Sequence, residues 1–129
     1  MIVDTSAIMA ILLNEKEAVA FAELVANDAH PRMSAGNHVE LVVTVTRRDR
    51  PIAWDHVAGV LNDLRLVIEP VTVEQAALAR SAYLTYGRGQ HPARLNFGDC
   101  FAYALAKATG EPLLYKGDDF GLTDVKSAL

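Results

Sequence analysis

The chain has 129 residues, 51% hydrophobic and 22% charged, which is enough apolar material for one packed domain and too little length for two. Its 12 basic and 16 acidic side chains give a formal charge of −4. That balance lacks the basic footprint of a nucleic-acid binder, unless the acids gather around a bound cation that offsets them. No apolar run is long enough to span a bilayer, no basic-then-apolar leader opens the chain, and Cys100 stands alone, so the expectation is a cytoplasmic protein without membrane span, secretory signal or internal disulfide.

Met1 to Asp4 is a short apolar run ending in Asp-Thr-Ser, which predicts a buried strand feeding a capped helix. Ser6–Leu13 and Glu15–Ala26 have helical patterns, with a break near Asn14. Asp28-Ala-His-Pro31 reads as a turn and Arg32-Met-Ser34 as a second short strand. A helix is predicted from Asn37 to Thr46 despite its valines, ended by the Arg47–Pro51 segment. Trp54–Arg65 is amphipathic, Leu66–Val71 reads as a strand, and Val73–Tyr86 is an alanine-rich helix. Gly87–Pro92 is a loop, Phe97–Thr109 a helix and Pro112–Tyr115 a strand.

Short strands alternating with helices predict a single α/β domain over residues 1–129, built on a parallel sheet. Such sheets bind ligands at the carboxyl ends of their strands. Asp4 closes the first strand, and Asp118 and Asp119 follow the last. Glu40 lies early in the helix after the second strand, and Asp99 in the first turn of its helix. All of these positions face one edge of the sheet, which gives the four acids a common address.

Carboxylates held that close repel one another and take up protons unless a cation neutralises them. An all-oxygen set without paired His or Cys suits Mg²⁺ or Mn²⁺ rather than Zn²⁺. The chemistry that follows is metal-assisted hydrolysis of a phosphodiester, with no side-chain nucleophile required. Each acid also has a structural reading. Asp4 can cap a helix with Thr5 and Ser6, Asn96 and Asp99 have the spacing of a reciprocal cap, and Asp118-Asp119 after Gly117 is ordinary turn composition. Glu40 sits among Val39, Leu41, Val42 and Val43, where an unpaired buried charge is costly.

Three stretches resemble one family. They are Met-Ile-Val-Asp4-Thr5-Ser6-Ala7, the block Leu95-Asn96-Phe97-Gly98-Asp99-Cys100-Phe101-Ala102-Tyr103-Ala104, and Leu113-Leu114-Tyr115-Lys116-Gly117-Asp118-Asp119-Phe120. In order, spacing and total length they resemble PIN-domain ribonucleases, and in particular the VapC toxins of bacterial type II toxin–antitoxin pairs. The resemblance implies a three-layer α/β/α sandwich and a Mg²⁺- or Mn²⁺-dependent endoribonuclease. It also implies a homodimer that is inhibited by a VapB-type antitoxin. By position, Asp4, Glu40 and Asp99 match the family's acids. The looser family pattern puts the last acid on Gly117, so Asp118 is taken as the fourth and Asp119 as its alternative. Thr5 or Ser6 is expected to support the first carboxylate, and Asn96 to orient the Asp99 turn.

Arg47, Arg48 and Arg50 either grip RNA phosphates or complement the negative end of their helix. Arg88, His91 and Arg94 precede the Asn96 turn in a loop suited to substrate contact. His30, His38 and His56 have no metal-ligand spacing, and Cys100 reads as a buried, inert thiol. The apolar stretches Ile8–Leu13 and Val19–Val25 cover the core or offer a groove to a partner. Two other functions compete. An aspartyl phosphotransferase needs a second acid two residues after the first, where this chain has Ser6. A catalytically silent PIN-like module would bind RNA or a partner without cutting, and the four filled acidic positions argue against it.

Overall fold

The computed structural model describes residues 1–129. Four strands, β1 (Ile2–Val3), β2 (Arg32–Ser34), β3 (Val67–Glu69) and β4 (Leu113–Leu114), pair in the order β3-β2-β1-β4, every pair parallel. Six helices accompany them: α1 (Thr5–Leu12), α2 (Ala18–Asn27), α3 (Ala35–Thr46), α4 (Trp54–Asp63), α5 (Val73–Tyr86) and α6 (Phe97–Thr109). A single 3₁₀ turn, Phe120–Leu122, follows β4.

Side chains alternate across a strand, and the two central strands use that alternation to fill two cores. Val3 and Leu114 join Ile8, Met33, Leu41 and Val57 on one face, beneath α1–α4. Ile2 and Leu113 join Leu95, Leu105 and Phe120 on the other, against α6 and the inner side of α5. All of these side chains are buried. Helices on both faces make the three-layer α/β/α sandwich that the family resemblance implied.

The strands are shorter than the apolar runs suggested. Asp4 lies outside β1 because it caps α1, accepting from the Ser6 amide, whereas Ser34 both ends β2 and caps α3, accepting from the Gly36 amide. Ser34 thereby starts α3 at Ala35, two residues before the expected start. Asn14 adopts a left-handed conformation (φ 50°), and α2 begins at Ala18 rather than Glu15. The β4 edge is closed by the tail, where the Leu113 amide donates to the Lys126 carbonyl and the Ala128 amide to the Leu113 carbonyl. The N-terminal apolar stretches serve the core: Ile8, Met9, Ala10, Phe21 and Val25 are buried in it. No helix is long and apolar enough to cross a membrane.

Topology decides where the chemistry sits. A helix after a parallel strand starts at the sheet's carboxyl edge, and so does a helix that runs back before entering the next strand. The N-terminal ends of α1, α3 and α6 therefore meet beyond β1, bringing Asp4 at the cap of α1, Glu40 in the second turn of α3 and Asp99 in the first turn of α6 to the same place.

Candidate active site

Asp4 is the N-cap of α1 and is almost fully buried. Its Oδ2 accepts from the Ser6 amide at 2.9 Å and from the Ser6 hydroxyl at 2.6 Å. The Ser6 Oγ in turn accepts from the Lys116 amide at 2.9 Å, tying this carboxylate to the segment after β4. Asp4 Oδ1 has only one contact, a long 3.4 Å approach from Asn37 Nδ2. The capping role and a ligand role are therefore compatible, since one oxygen caps and the other is left over.

Asp99 repeats that arrangement on α6. Asn96 caps the helix by accepting from the Asp99 amide at 2.9 Å, while Asp99 Oδ2 accepts from the Asn96 amide at 2.7 Å. This reciprocal box locks the side chain and leaves Asp99 Oδ1 without a protein partner. Glu40 is held from α1 and α3: its Oε2 accepts from the Thr5 hydroxyl at 2.6 Å and from Asn37 Nδ2 at 3.1 Å. Its carboxylate lies against Gly98, where an added Cβ would overlap it. Each of the three acids thus has one oxygen fixed by its own neighbours and another with no hydrogen-bond donor or only a long one.

The electrostatics report the crowding. Burial, with Glu40's charge adding to it, pushes Asp4 up to about 6 although both Ser6 hydrogen bonds pull it down. Burial pushes Asp99 up to about 7, assisted by the charges of Asp4, Glu40 and Asp119. Asp119, one of the two acids after β4, is thus among the charges that disfavour ionisation of Asp99. Asp118 and Asp119 are both exposed and follow Gly117, which has a left-handed φ of 102°. Burial and the Asp99 charge push the neighbouring Cys100 thiol up to about 11, away from the reactive thiolate.

The donor set suits a hard divalent cation. Every candidate ligand is an oxygen, the acids disfavour one another's ionisation, and no cationic side chain is hydrogen-bonded to any of the three. No cluster of three or more Asp, Glu, His or Cys side chains is closed tightly enough to be a preformed cage. Mg²⁺ does not need one, because it retains several waters and uses one or two carboxylates directly.

The arginines singled out by sequence lie outside this hydrogen-bond network. Arg47 follows α3 and shares an exposed hollow with Arg48, Asp49 and Arg50. Arg88 and Arg94 are exposed on the loop that enters α6 and belong to no ion pair, whereas Lys116 is held by Glu15 at 2.5 Å. That loop is closed by hydrogen bonds from the Arg88 amide to the Leu95 carbonyl and from the Leu95 amide to the Tyr86 carbonyl. Sequence reasoning missed Asn37, Gly98 and the Lys116 amide. A signal existed for Asn37, which precedes Glu40 by three residues and so shares its helix face.

Beside Glu40 the surface is apolar. Phe97 is 78% exposed and Val39 63% exposed. Two adjoining hollows of about 290 and 310 Å³ share Phe97 and Phe101, one between α5 and α6, the other between α3 and α6. The second is lined in part by Glu40, Asn96 and Gly98.

The model of the PIN domain family matches residues 1–126. Ribonuclease VapC42 of Mycobacterium tuberculosis is 50% identical over 129 residues, an alignment covering 99% of this chain and 98% of that protein. Two solved structures share the fold at 16% identity. VapC20 of Mycobacterium tuberculosis, described as a sarcin-ricin loop cleaving toxin, superposes with a TM-score of 0.73, covering 96% of this chain and 95% of the other. VapBC2 from Rickettsia felis, solved bound to a DNA fragment from its promoter, does so with a TM-score of 0.68, covering 98% and 95%.

Proposed function

The chain belongs to the PIN-domain family and, within it, to the VapC ribonucleases, and from that premise we propose that it is a Mg²⁺-dependent endoribonuclease toxin, with Mn²⁺ able to replace Mg²⁺. One observation carries the reading: Asp4, Glu40 and Asp99 converge from three helices, each with one oxygen restrained and the other available. A protein gains no stability from that arrangement in the absence of a cation, since burial and mutual repulsion raise both Asp4 and Asp99.

Asp4 and Asp99 would hold the ion through their Oδ1 atoms, with Glu40 and Asp119 contributing directly or through water. When bound, the ion neutralises charge on the scissile phosphate and makes water nucleophilic near neutral pH. The chain's own task is orientation. Ser6 fixes Asp4, Asn96 fixes Asp99, and Thr5 fixes Glu40, which stands ready to accept a proton from an attacking water. Of the two acids after β4 we now favour Asp119 over Asp118 as the fourth member, on the strength of its charge at Asp99. Arg88 and Arg94, and more remotely Arg47, are the cations we assign to RNA phosphates.

The protein partners of this reading are a VapB-type antitoxin and a second copy of the chain, in a cytoplasmic complex. The apolar strip of Val39, Phe97 and Phe101 is the surface we assign to them, in place of the buried N-terminal stretches. Its hollow adjoins Glu40 and Gly98, so a segment seated there would obstruct the carboxylates.

The test is RNA cleavage by the purified chain. Cleavage should require Mg²⁺ or Mn²⁺ and fall by about 10² or more in Asp4→Asn and Asp99→Asn variants that keep their circular dichroism. Cleavage that persisted in excess EDTA would overturn the metal reading. RNA binding without cleavage would instead favour a silent module.

A further inference from the structure

Asn37 is fully buried at the third position of α3. A polar residue at this position commonly reaches back to its own helix cap. Asn37 instead sends its side chain across to α1 and α6. Its Nδ2 lies 3.0 Å from the Gly98 carbonyl, 3.1 Å from Glu40 Oε2, and 3.4 Å from both Asp4 Oδ1 and Thr5 Oγ1. Four oxygens from three helices thus surround one amide nitrogen, which has two hydrogens to give.

The other end of the same amide is unsatisfied: Asn37 Oδ1 is buried without a partner. Rotating the amide by half a turn would not cure this, because it would aim Oδ1 at two carboxylates and a carbonyl. An interior side chain chosen for stability alone would not strand a buried oxygen in this way. What the arrangement secures is a neutral donor between acids. The amide draws Glu40 Oε2 toward Thr5, turns Oε1 toward Gly98, and meets the spare oxygen of Asp4, all without adding a cation that would compete with a metal ion.

We propose that Asn37 is a positioning residue of the active site, an uncharged clamp that sets Glu40 relative to Asp4 and to the first turn of α6. The inference rests on the metal-dependent nuclease reading and extends it to a residue outside the acidic set. The Gly98 contact gives it a second anchor, so that the same amide fixes both the glutamate and the backbone that starts the Asp99 turn.

The experiment compares the full-length wild type with Asn37→Ala by single-turnover RNA cleavage, thermal melting, and calorimetric titration with Mg²⁺ alone. The expected result is a kcat reduced by about 10–100-fold, the usual cost of losing a group that orients a ligand. KM for RNA should stay within about twofold, and Mg²⁺ affinity should fall in the RNA-free protein. A kcat within about twofold of wild type at equal folded fraction would overturn the proposal. So would a loss of activity that merely follows the melting curve. If the variant does not fold, ¹⁵N side-chain amide spectra of the wild type decide the matter. Mg²⁺ should then shift the Asn37 Nδ2 signals while those of Asn14, Asn27 and Asn62, outside the site, stay fixed. An unmoved Asn37 at saturating Mg²⁺ would reject the clamp. Should the wild type itself neither bind Mg²⁺ nor cleave RNA, the nuclease reading fails instead.

Discussion

The Glu40 carboxylate occupies the space in which a side chain at residue 98 would have to sit, so that Gly98 and Glu40, 58 positions apart, are fitted to each other. Gly98 has an ordinary place in α6, and its need for glycine comes from this contact rather than from backbone conformation. Gly98→Ala should therefore push Glu40 away from Thr5 and lower cleavage by about tenfold or more, at a stability cost of about 1–3 kcal/mol from overpacking. In a Glu40→Ala background the same glycine substitution should have little further effect on either quantity. A double-mutant cycle measures the coupling, and additive losses would show that Gly98 matters for another reason.

Asp99→Asn separates stability from function. The variant removes a charge that burial and three acidic neighbours disfavour, while an amide oxygen can still accept from the Asn96 amide. Metal-free protein should melt at a higher temperature than wild type at about pH 8, because the wild-type carboxylate is ionised there against its surroundings. Cleavage should nevertheless fall by about 10²–10³, the scale expected when one group stabilising the transition state is lost. Equal melting temperatures in EDTA would contradict the assigned repulsion.

Much of this was legible in the sequence, for identifiable reasons. Strand–helix alternation located the sheet edge, and Asn96-Phe97-Gly98-Asp99 carries a cap spacing that fixes Asp99 in a first turn. Two-residue strands have no alternation to read, so β1 and β4 were drawn too long. Apolar content alone did not say which helices face outward: Ile8 and Phe21 are buried, whereas Phe97 points into solvent. Choosing between Asp118 and Asp119 depends on the chain direction after Gly117, whose left-handed φ re-aims both side chains. Asn37 escaped notice because an asparagine at a helix start usually has a local task.

The same raised carboxylates give the metal-free protein an unusual pH dependence. Unfolded, Asp4 and Asp99 lose their protons near pH 3.8; folded, they keep them to about 6 and about 7. Between those limits the folded state binds more protons than the unfolded state, so these two groups stabilise it at low pH and lose that contribution as pH rises. Melting temperature in EDTA should decline from about pH 5 to pH 8 more steeply than in excess Mg²⁺, which binds the ionised form and compensates. Parallel curves with and without Mg²⁺ would show that the ion does not bind these carboxylates.

Asp119→Asn should reduce cleavage more than Asp118→Asn. Coulomb interaction weakens with distance, and Asp119 is the acid after β4 whose charge contributes to raising Asp99. Replacing it should also ease the ionisation of Asp99, moving the acidic limb of the pH–rate profile to lower pH, whereas Asp118→Asn should leave that limb in place. Rates measured across pH for both variants discriminate the two neighbours. A larger loss and a larger shift in Asp118→Asn would restore the order first expected from sequence.

Arg88 and Arg94 test how RNA is held. Their side chains are exposed and free of ion pairs, yet the backbone between them is braced by the Gly87–Leu95 bridge and the Arg94–His91 hydrogen bond, with Arg94 itself at φ 53°. A braced loop presents its cations with less ordering to be lost on binding than a floppy one. Alanine at either position should therefore raise KM while leaving kcat near wild type, because neither side chain takes part in the carboxylate network. For each phosphate contact removed, the slope of log affinity against log salt should flatten by about 0.7 on single-stranded RNA. Arg47→Ala, at the far end of α3 from Glu40's first-turn neighbours, should alter that slope less. A fall in kcat without a change in salt slope would place Arg88 or Arg94 in the chemistry rather than in substrate capture.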